Sequence, residues 1–141
     1  MRRGVTLLEL TLVLAIMGLL VGIALPRFQR VADGLAVHHA ALEILSAHRR
    51  ARMSAILQNR PLELTIRQDT LAIRIPGAPG ELWHAAGPVG EGVTLIGPAR
   101  ALIFSPVGLT VGVSNATYRL SRGAATRTVI VSRLGRLRVT P

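Results

Sequence analysis

The amino-terminal stretch of the chain is apolar almost without interruption. Residues 5–25 form a run of 21 residues that contains one charged side chain, Glu9. As an α-helix such a run extends about 31 Å, which matches the hydrocarbon core of a bilayer. The pattern therefore predicts a membrane-spanning helix. A carboxylate inside such a helix costs roughly 2.5–3.5 kcal/mol on insertion scales, so Glu9 requires a partner or a function.

The apolar pattern keeps a helical period after Pro26. Up to about residue 58, large apolar residues recur mostly at steps of three and four or their sums. These residues are Phe28, Val31, Leu35, Leu42, Leu45, Ile56 and Leu57. We therefore predict one long helix from about residue 5 to about residue 58, loosened or kinked at Pro26. Gly34 is a second position at which the helix would weaken or break.

The period changes from helical to two at Pro61. Residues 62–66 and 71–75 each alternate apolar and polar side chains, which predicts a β-hairpin with one buried face. Residues 76–92 are rich in glycine and proline and predict a long loop. This loop carries Trp83, the single tryptophan, which we expect to pack the loop onto the core rather than bind a ligand.

Short apolar runs continue to the carboxyl terminus and predict further strands. We place these strands at residues 93–96, 101–104, 109–113, 116–120, 127–132 and 136–139. A turn around Arg122 and Gly123 joins the fourth and fifth of them. A long helix followed by many short strands predicts an α+β fold, in which the helix packs on one face of a small, mostly antiparallel β-domain.

Charge adds a question about partners, because all 17 basic residues are arginine and seven acidic residues oppose them, for a net charge of +10. Two interpretations stay open: arginine-rich codon usage combined with solubility, or an anionic partner such as phospholipid headgroups or nucleic acid.

Arg2 and Arg3, ahead of the apolar run, favour a cytoplasmic N-terminus. The cluster of Arg49, Arg50 and Arg52 is by default a solvated helix face, and a phosphate-facing patch is the alternative.

No catalytic chemistry emerges from the other residues. The chain has no cysteine, no lysine, no Gly-x-Ser-x-Gly sequence and no Gly-rich phosphate loop, so we expect no enzyme, no catalytic residue and no cofactor. His38, His39 and His48 lie on the predicted helix, and His84 lies in the predicted loop. A metal site needs ligands that converge on one helical face, so we predict surface histidines and no metal site.

The sequence RGVTLLE at residues 3–9, followed by the apolar run and Pro26, resembles the amino-terminal signature of type IV pilins and type II secretion pseudopilins. The resemblance implies that a prepilin peptidase cleaves between Gly4 and Val5. It also implies that the new amine of Val5, where the family most often has phenylalanine, is N-methylated. Glu9 would then be the fifth mature residue and would pair with the terminal amine of an adjoining subunit during filament assembly.

Three later segments resemble the GspH/FimT subfamily of minor pseudopilins and minor pilins. They are ARMSAI at residues 51–56, IFSPVG at residues 103–108, and VIVS at residues 129–132 with GRLR at residues 135–138. Pattern and resemblance together divide the chain into a leader, a transmembrane half-helix, an amphipathic half-helix and a β-rich domain. The respective bounds are residues 1–4, 5–26, 27–59 and 60–141.

The resemblance implies a structural subunit at or near the tip of a secretion pseudopilus or type IV pilus. Its expected partners are prepilin peptidase, other pilins or pseudopilins of the same filament, and the bacterial inner membrane. The chain would cross that membrane once, with its N-terminus cytoplasmic and its globular domain periplasmic or otherwise extracytoplasmic.

Arginines at the carboxyl terminus leave a second function open. In an extended strand, Arg136 and Arg138 share one face, and Arg133 lies nearby. FimT-type minor pilins are associated with DNA uptake and carry a Gly-Arg-x-Arg motif in a DNA-binding tail, which residues 135–138 match. Arg133, Arg136 and Arg138 are therefore candidate DNA-binding residues. The competing interpretation is an edge strand whose outward arginines prevent aggregation.

Overall fold

The computed structural model of the chain describes residues 6–112 and 115–141, and its first element is one long helix. This helix, α1, spans Leu7–Leu57 and is continuous through Pro26 and Gly34. The predicted long helix is thus confirmed, and no break occurs at Gly34. Contacts within the chain define two compact units, Met1–Ala32 and Asp33–Pro141.

The described part of the first unit is the amino-terminal portion of α1. In the residues that the structure describes, α1 is the one helix long and apolar enough to cross a membrane. No residue of its most apolar 18-residue window is buried in the protein. Large apolar side chains that are not buried in this way are suited to contact with lipid or with other subunits.

In the second unit, the carboxyl-terminal part of α1 buries one face against the β-domain. Most of the buried residues are small, and they recur at steps of three and four. They are Val37, Ala40, Ala41, Ile44, Ala47, His48, Ala51 and Ala55. Several of the large apolar residues whose spacing predicted the helix are exposed instead, namely Leu35, Leu42, Ile56 and Leu57. The alanine stripe faces the core instead, because small side chains let a helix backbone approach a sheet closely.

Nine antiparallel strands in two sheets follow α1 in the described residues, together with one short 3₁₀ helix. The first sheet has the order β3-β2-β1-β5-β6, and the second has the order β4-β7-β8-β9. The strands are β1 Leu62–Ile66, β2 Thr70–Arg74, β3 Trp83–Ala86, β4 Thr94–Ile96, β5 Leu102–Phe104, β6 Thr110–Val111, β7 Ala116–Arg122, β8 Ala125–Val131 and β9 Leu137–Thr140. The α+β fold and the predicted order of helix and strands are confirmed. Residue 113, the end of the strand predicted at residues 109–113, lies outside the described residues.

The stretch predicted as one long loop, residues 76–92, is partly regular and therefore corrects the prediction. Trp83 opens β3 and stands opposite Ile73 of β2, and a 3₁₀ helix occupies Pro88–Glu91. Gly87, between β3 and the 3₁₀ helix, allows the backbone to pass close to Gln68. A Cβ at position 87 would lie only 2.6 Å from the carbonyl oxygen of Gln68. Trp83 is half-buried and packs against the core, as expected.

One hydrophobic core joins the helix and both sheets. Its largest fully buried side chains are those of Tyr118 and Phe104, with leucines from β1, β2, β5 and β7 around them. Gly97 lies against the ring of Tyr118, where a Cβ would approach Cδ1 to 2.4 Å. Since the core lies entirely in the second unit, that unit contains its own folding determinants.

Candidate functional site

The amino-terminal signature is only partly within the described residues. Gly4 and Val5 lie outside them, so the predicted cleavage and methylation site stays a prediction. Thr6 caps α1: its Oγ1 accepts a hydrogen bond from the backbone N–H of Glu9 at 3.2 Å, and its carbonyl accepts one from Leu10. Glu9 therefore lies in the first helical turn, where a negative charge is favourable.

The Glu9 side chain is exposed and has no ion-pair partner among the described residues. A carboxylate at this position in an apolar segment is not compensated by any ion pair with the described residues of its own chain. Any partner that neutralises it in lipid must come from outside the described part of the molecule.

A tight turn positions the carboxyl-terminal arginines. The Gly135 N–H donates to the Ser132 carbonyl at 2.9 Å, and the Arg136 N–H donates to the Ser132 hydroxyl at 3.1 Å. Gly135 has φ +71°, a left-handed conformation that glycine adopts without strain. The glycine of the GRLR segment thus reverses the chain, and the residues after it form β9.

The arginines in β9 and immediately before it lie at the solvent-exposed surface, as predicted from strand alternation. Leu137 and Val139 pack against the core, whereas Arg136 and Arg138 are exposed. β9 also forms one edge of the second sheet. Arg133 is exposed in the preceding turn, and its carbonyl accepts a hydrogen bond from the Thr110 hydroxyl at 2.7 Å.

Arg136 also lines a cleft whose other wall is α1. The cleft has a volume of about 280 Å³ and is lined by Leu45, His48, Arg49, Arg52, Gly135, Arg136 and Leu137. Two arginines of the helical cluster therefore meet the arginine of the GRLR turn, a convergence that sequence reasoning missed. The i, i+3 spacing of Arg49 and Arg52 signalled a shared helix face. Nothing in the sequence indicated that β9 would lie beside it.

The third arginine of the helical cluster points elsewhere. The guanidinium carbon of Arg50 lies 5.1 Å from the ring centroid of Trp83, a cation–π geometry. Arg50 thereby covers β3 rather than the cleft. The cluster is consequently divided between two sides of α1.

His48 corrects the prediction of surface histidines. Its side chain is 2% exposed and meets the ring of Phe104 edge-on, with centroids 4.8 Å apart. Its Nε2 is buried and has no hydrogen-bond partner among the described residues. Burial, reinforced by the charges of Arg52 and Arg49, lowers the pKa of His48 to about 4. His48 is therefore neutral at pH 7.

The other histidines are exposed, and one takes part in a small polar cluster. His39 Nδ1 lies 2.8 Å from Glu91 Oε1, and the hydrogen bond and charge of Glu91 raise the pKa of His39. Glu43, one turn along α1, brings a third potential metal ligand, and all three ligand atoms lie within 4.8 Å of one another. The direct contact between His39 and Glu91 accounts for this arrangement without an ion. His84 lies in β3 rather than in a loop.

Arg122, part of a second basic group on β7 and β8, is held by an internal contact. Its Nε lies 3.0 Å from Asp33 Oδ1, and its NH1 donates to the carbonyl of Glu91. Arg119 is exposed and Arg127 is half-buried. Arg122 therefore fastens the β7–β8 turn to α1 and is not available to a partner.

Comparison with known proteins identifies the family. The chain matches the family profile described as Type II transport protein GspH over residues 40–135. It is also 35% identical over 156 aligned positions to the Pilin-like protein PilA1 of Thermus thermophilus, with 98% of each chain covered. The chain belongs to the GspH family of type IV pilin-like proteins.

Solved structures share the fold of this GspH-family protein. The type IV minor pilin FimU of Pseudomonas aeruginosa has a TM-score of 0.63 at 20% identity, covering 74% of this chain and 88% of FimU. The minor pseudopilin EpsH from the type 2 secretion system of Vibrio cholerae has a TM-score of 0.57 at 15% identity, covering 74% and 95%. Pilins and pseudopilins are structural subunits that act with other subunits of the same filament, and their apolar amino-terminal helix is consistent with membrane anchoring.

Proposed function

We propose that this protein is a minor subunit of a type IV filament, anchored by α1 in the inner membrane with its N-terminus cytoplasmic. A prepilin peptidase cleaves it after Gly4, the amine of Val5 is methylated, and the mature chain enters the filament at or near its tip. The observation that carries the proposal is Glu9, an exposed carboxylate without an ion-pair partner among the described residues, at the start of an uncovered apolar helix.

Glu9 gives this proposal a physical mechanism. Cleavage creates a positive amine at Val5, four residues before Glu9, and an adjoining subunit would place its own amine against this carboxylate. In a low-dielectric surrounding the two charges offset each other's desolvation, whereas either one alone is strongly unfavourable. Assembly would thus be favoured only with the carboxylate in its charged form and a processed neighbour beside it.

The exposed face of α1 in the second unit supports the same role. Leu35, Leu42 and Leu57 are 64%, 44% and 77% exposed, although the helix continues along the domain. Isolated exposed leucines are ordinary, but a series along one helix offers contact area to neighbouring helices. We infer that these side chains pack against other subunits.

A Glu9→Gln variant tests the assembly mechanism, because it keeps the side chain's shape and removes its charge. We expect normal membrane insertion and at least a tenfold fall in the share recovered in sheared filaments, since an unpaired charge opposes assembly. Glu43→Gln, which removes a charge farther along the same helix, serves as the matched control. Quantitative immunoblots of membrane and filament fractions provide the measurement. Wild-type incorporation of Glu9→Gln would contradict the mechanism.

A second candidate function is DNA binding in a transformation pilus. It is favoured by the exposure of Arg133, Arg136 and Arg138 around one turn at a sheet edge. Guanidinium groups donate two parallel hydrogen bonds to phosphate oxygens, and such contacts are sequence-independent and salt-sensitive. The competing role of these arginines is to keep the edge strand from pairing with other strands.

DNA binding is measured by fluorescence anisotropy with a labelled duplex and the full chain in micelles of an uncharged detergent. We expect micromolar affinity that falls steeply with salt and drops at least tenfold in Arg136→Ala/Arg138→Ala. Arg50→Ala/Arg67→Ala removes the same charge from other surfaces and should retain most of the affinity. Equal losses in both double variants would leave only non-specific charge attraction and would reject a DNA site at β9.

A further inference from the structure

The cleft between α1 and the Gly135 turn has the chemistry of an oxyanion site. Arg49 and Arg52 line it from the helix, and Arg136 lines it from the turn just before β9. The lining residues include no carboxylate, and none of these arginines has an ion-pair partner among the described residues. Three positively charged residues without a carboxylate among them line one cleft, so an anion bound there would be attracted by all three charges.

His48 adds an independent observation at the inner side of the same cleft. It is 2% exposed, whereas the arginines at the cleft are exposed, so it is the deeper polar group. Its Nε2 has no hydrogen-bond partner among the described residues. A buried polar atom without a partner is costly, and a bound ligand oxygen would satisfy it, because a neutral imidazole can carry its proton on Nε2.

We propose that this cleft binds the phosphate group of an organic phosphate. Arg49, Arg52 and Arg136 neutralise and hydrogen-bond the phosphate oxygens, and His48 donates one hydrogen bond from Nε2. The volume of about 280 Å³ accommodates a phosphate group with attached atoms and water. The site shares Arg136 with the DNA-binding candidate but differs from it, because it needs the two arginines of α1 and does not need Arg138.

The first test uses inorganic phosphate and the full chain in uncharged maltoside micelles, which contain no phosphate. The chain has four histidines, so ring resonances in a ¹³C-histidine sample resolve His48 from the rest. At constant ionic strength set by chloride, phosphate should shift the His48 ring resonances saturably and leave those of His84 unchanged. Arg49→Gln and Arg52→Gln should each weaken binding about tenfold or more, because each removes a charge-assisted hydrogen bond.

Arg50→Gln is the matched control, since it removes the same charge from the same turn of α1 but faces Trp83. Its phosphate affinity should stay within about twofold of wild type. Arg138→Ala should also retain phosphate binding, which separates this site from DNA binding at β9. The proposal is overturned if the His48 shift does not saturate, or if Arg50→Gln weakens binding as much as Arg49→Gln does.

Two organic phosphates identify the source of the group. A dinucleotide carries the phosphodiester of nucleic acid, and glycerol phosphate carries the headgroup chemistry of lipids. Displacement of inorganic phosphate by either one at comparable or lower concentration supports the proposal and names the class. If neither displaces it, the cleft binds an adventitious ion only, and the proposal is rejected.

Discussion

At the scale of single residues, His48 is the side chain whose environment differs most from expectation. It follows Ile44 by four positions and precedes Ala51 by three, so it belongs to the buried stripe of α1. This spacing, rather than the metal-binding chemistry of histidine, decides where the ring lies. The ring fills a core position against Phe104 and is held neutral by burial and by two adjacent arginines.

His48 should make the domain sensitive to mild acid. Its pKa is about 4 in the folded chain and has the ordinary value of 6.5 in the unfolded chain, so between these values the unfolded chain binds the additional proton. The neutral His48 ring therefore contributes fully to the free energy of unfolding above pH 6.5. This contribution is lost as the pH falls from 6.5 towards 4. The expected decrease in the free energy of unfolding is about 2 kcal/mol between pH 7 and pH 5. Urea denaturation of the full chain in micelles, followed by Trp83 fluorescence, measures it.

Two variants separate His48 from the carboxylates that also titrate. His48→Leu removes the ionisable ring from the core and should flatten the pH dependence between pH 5 and 6.5. His38→Gln changes an exposed neighbour and should retain the wild-type slope. The charges that act on His48 are those of Arg52 and Arg49 on α1, and Arg136 lines the same cleft. An unchanged slope in His48→Leu would contradict the assignment.

At the scale of elements, periodicity predicted type and order but not which face is buried. The change from a helical period to a period of two located β1 and β2 closely, because large apolar side chains alternate along both strands. Burial itself does not alternate, since Thr65 and Ala72 on the other face are buried too. The buried face of α1 was missed, since it consists mainly of alanines, such as Ala47 and Ala51, while leucines remain outside. Under the proposed function, these exposed large apolar side chains would contact other chains of the filament. One chain's sequence does not separate those contacts from its own core.

Of the candidate cleft, the sequence predicted the side formed by the carboxyl-terminal arginines but not the side formed by α1. The GRLR motif pointed to Arg136 and Arg138, and strand alternation gave their exposure. The opposite wall, Arg49 and Arg52, is distant along the chain, and only the packing of α1 beside β9 brings it near. Likewise, β3 was hidden in a Gly-rich stretch, because its pairing depends on the close approach permitted by Gly87.

At the scale of the whole molecule, the chain combines an uncovered apolar segment with a unit that has its own core. The contact division at Asp33 coincides with the ion pair between Asp33 of α1 and Arg122 of β7. Gly123 follows at the β7–β8 turn with φ +55°, and a Cβ there would lie 2.4 Å from Asp33 Oδ2. Folding of the second unit and insertion of the apolar segment therefore depend on different residues.

This separation predicts that blocking maturation leaves both insertion and folding intact. The Gly4→Leu variant places a large side chain next to the proposed scissile bond, where the peptidase must bind an extended chain. The proposed leader of four residues should therefore remain on the 141-residue protein. Intact-mass spectrometry of membranes that contain the peptidase should then give the unprocessed mass, with Arg2 and Arg3 retained. The membrane fraction and the urea midpoint should match those of wild type. Gly18→Leu, at a helical glycine whose added Cβ meets nothing within 4 Å, should be processed normally. Loss of the leader from Gly4→Leu would exclude cleavage at this position, whereas misfolding of the domain would show that the two units are not independent.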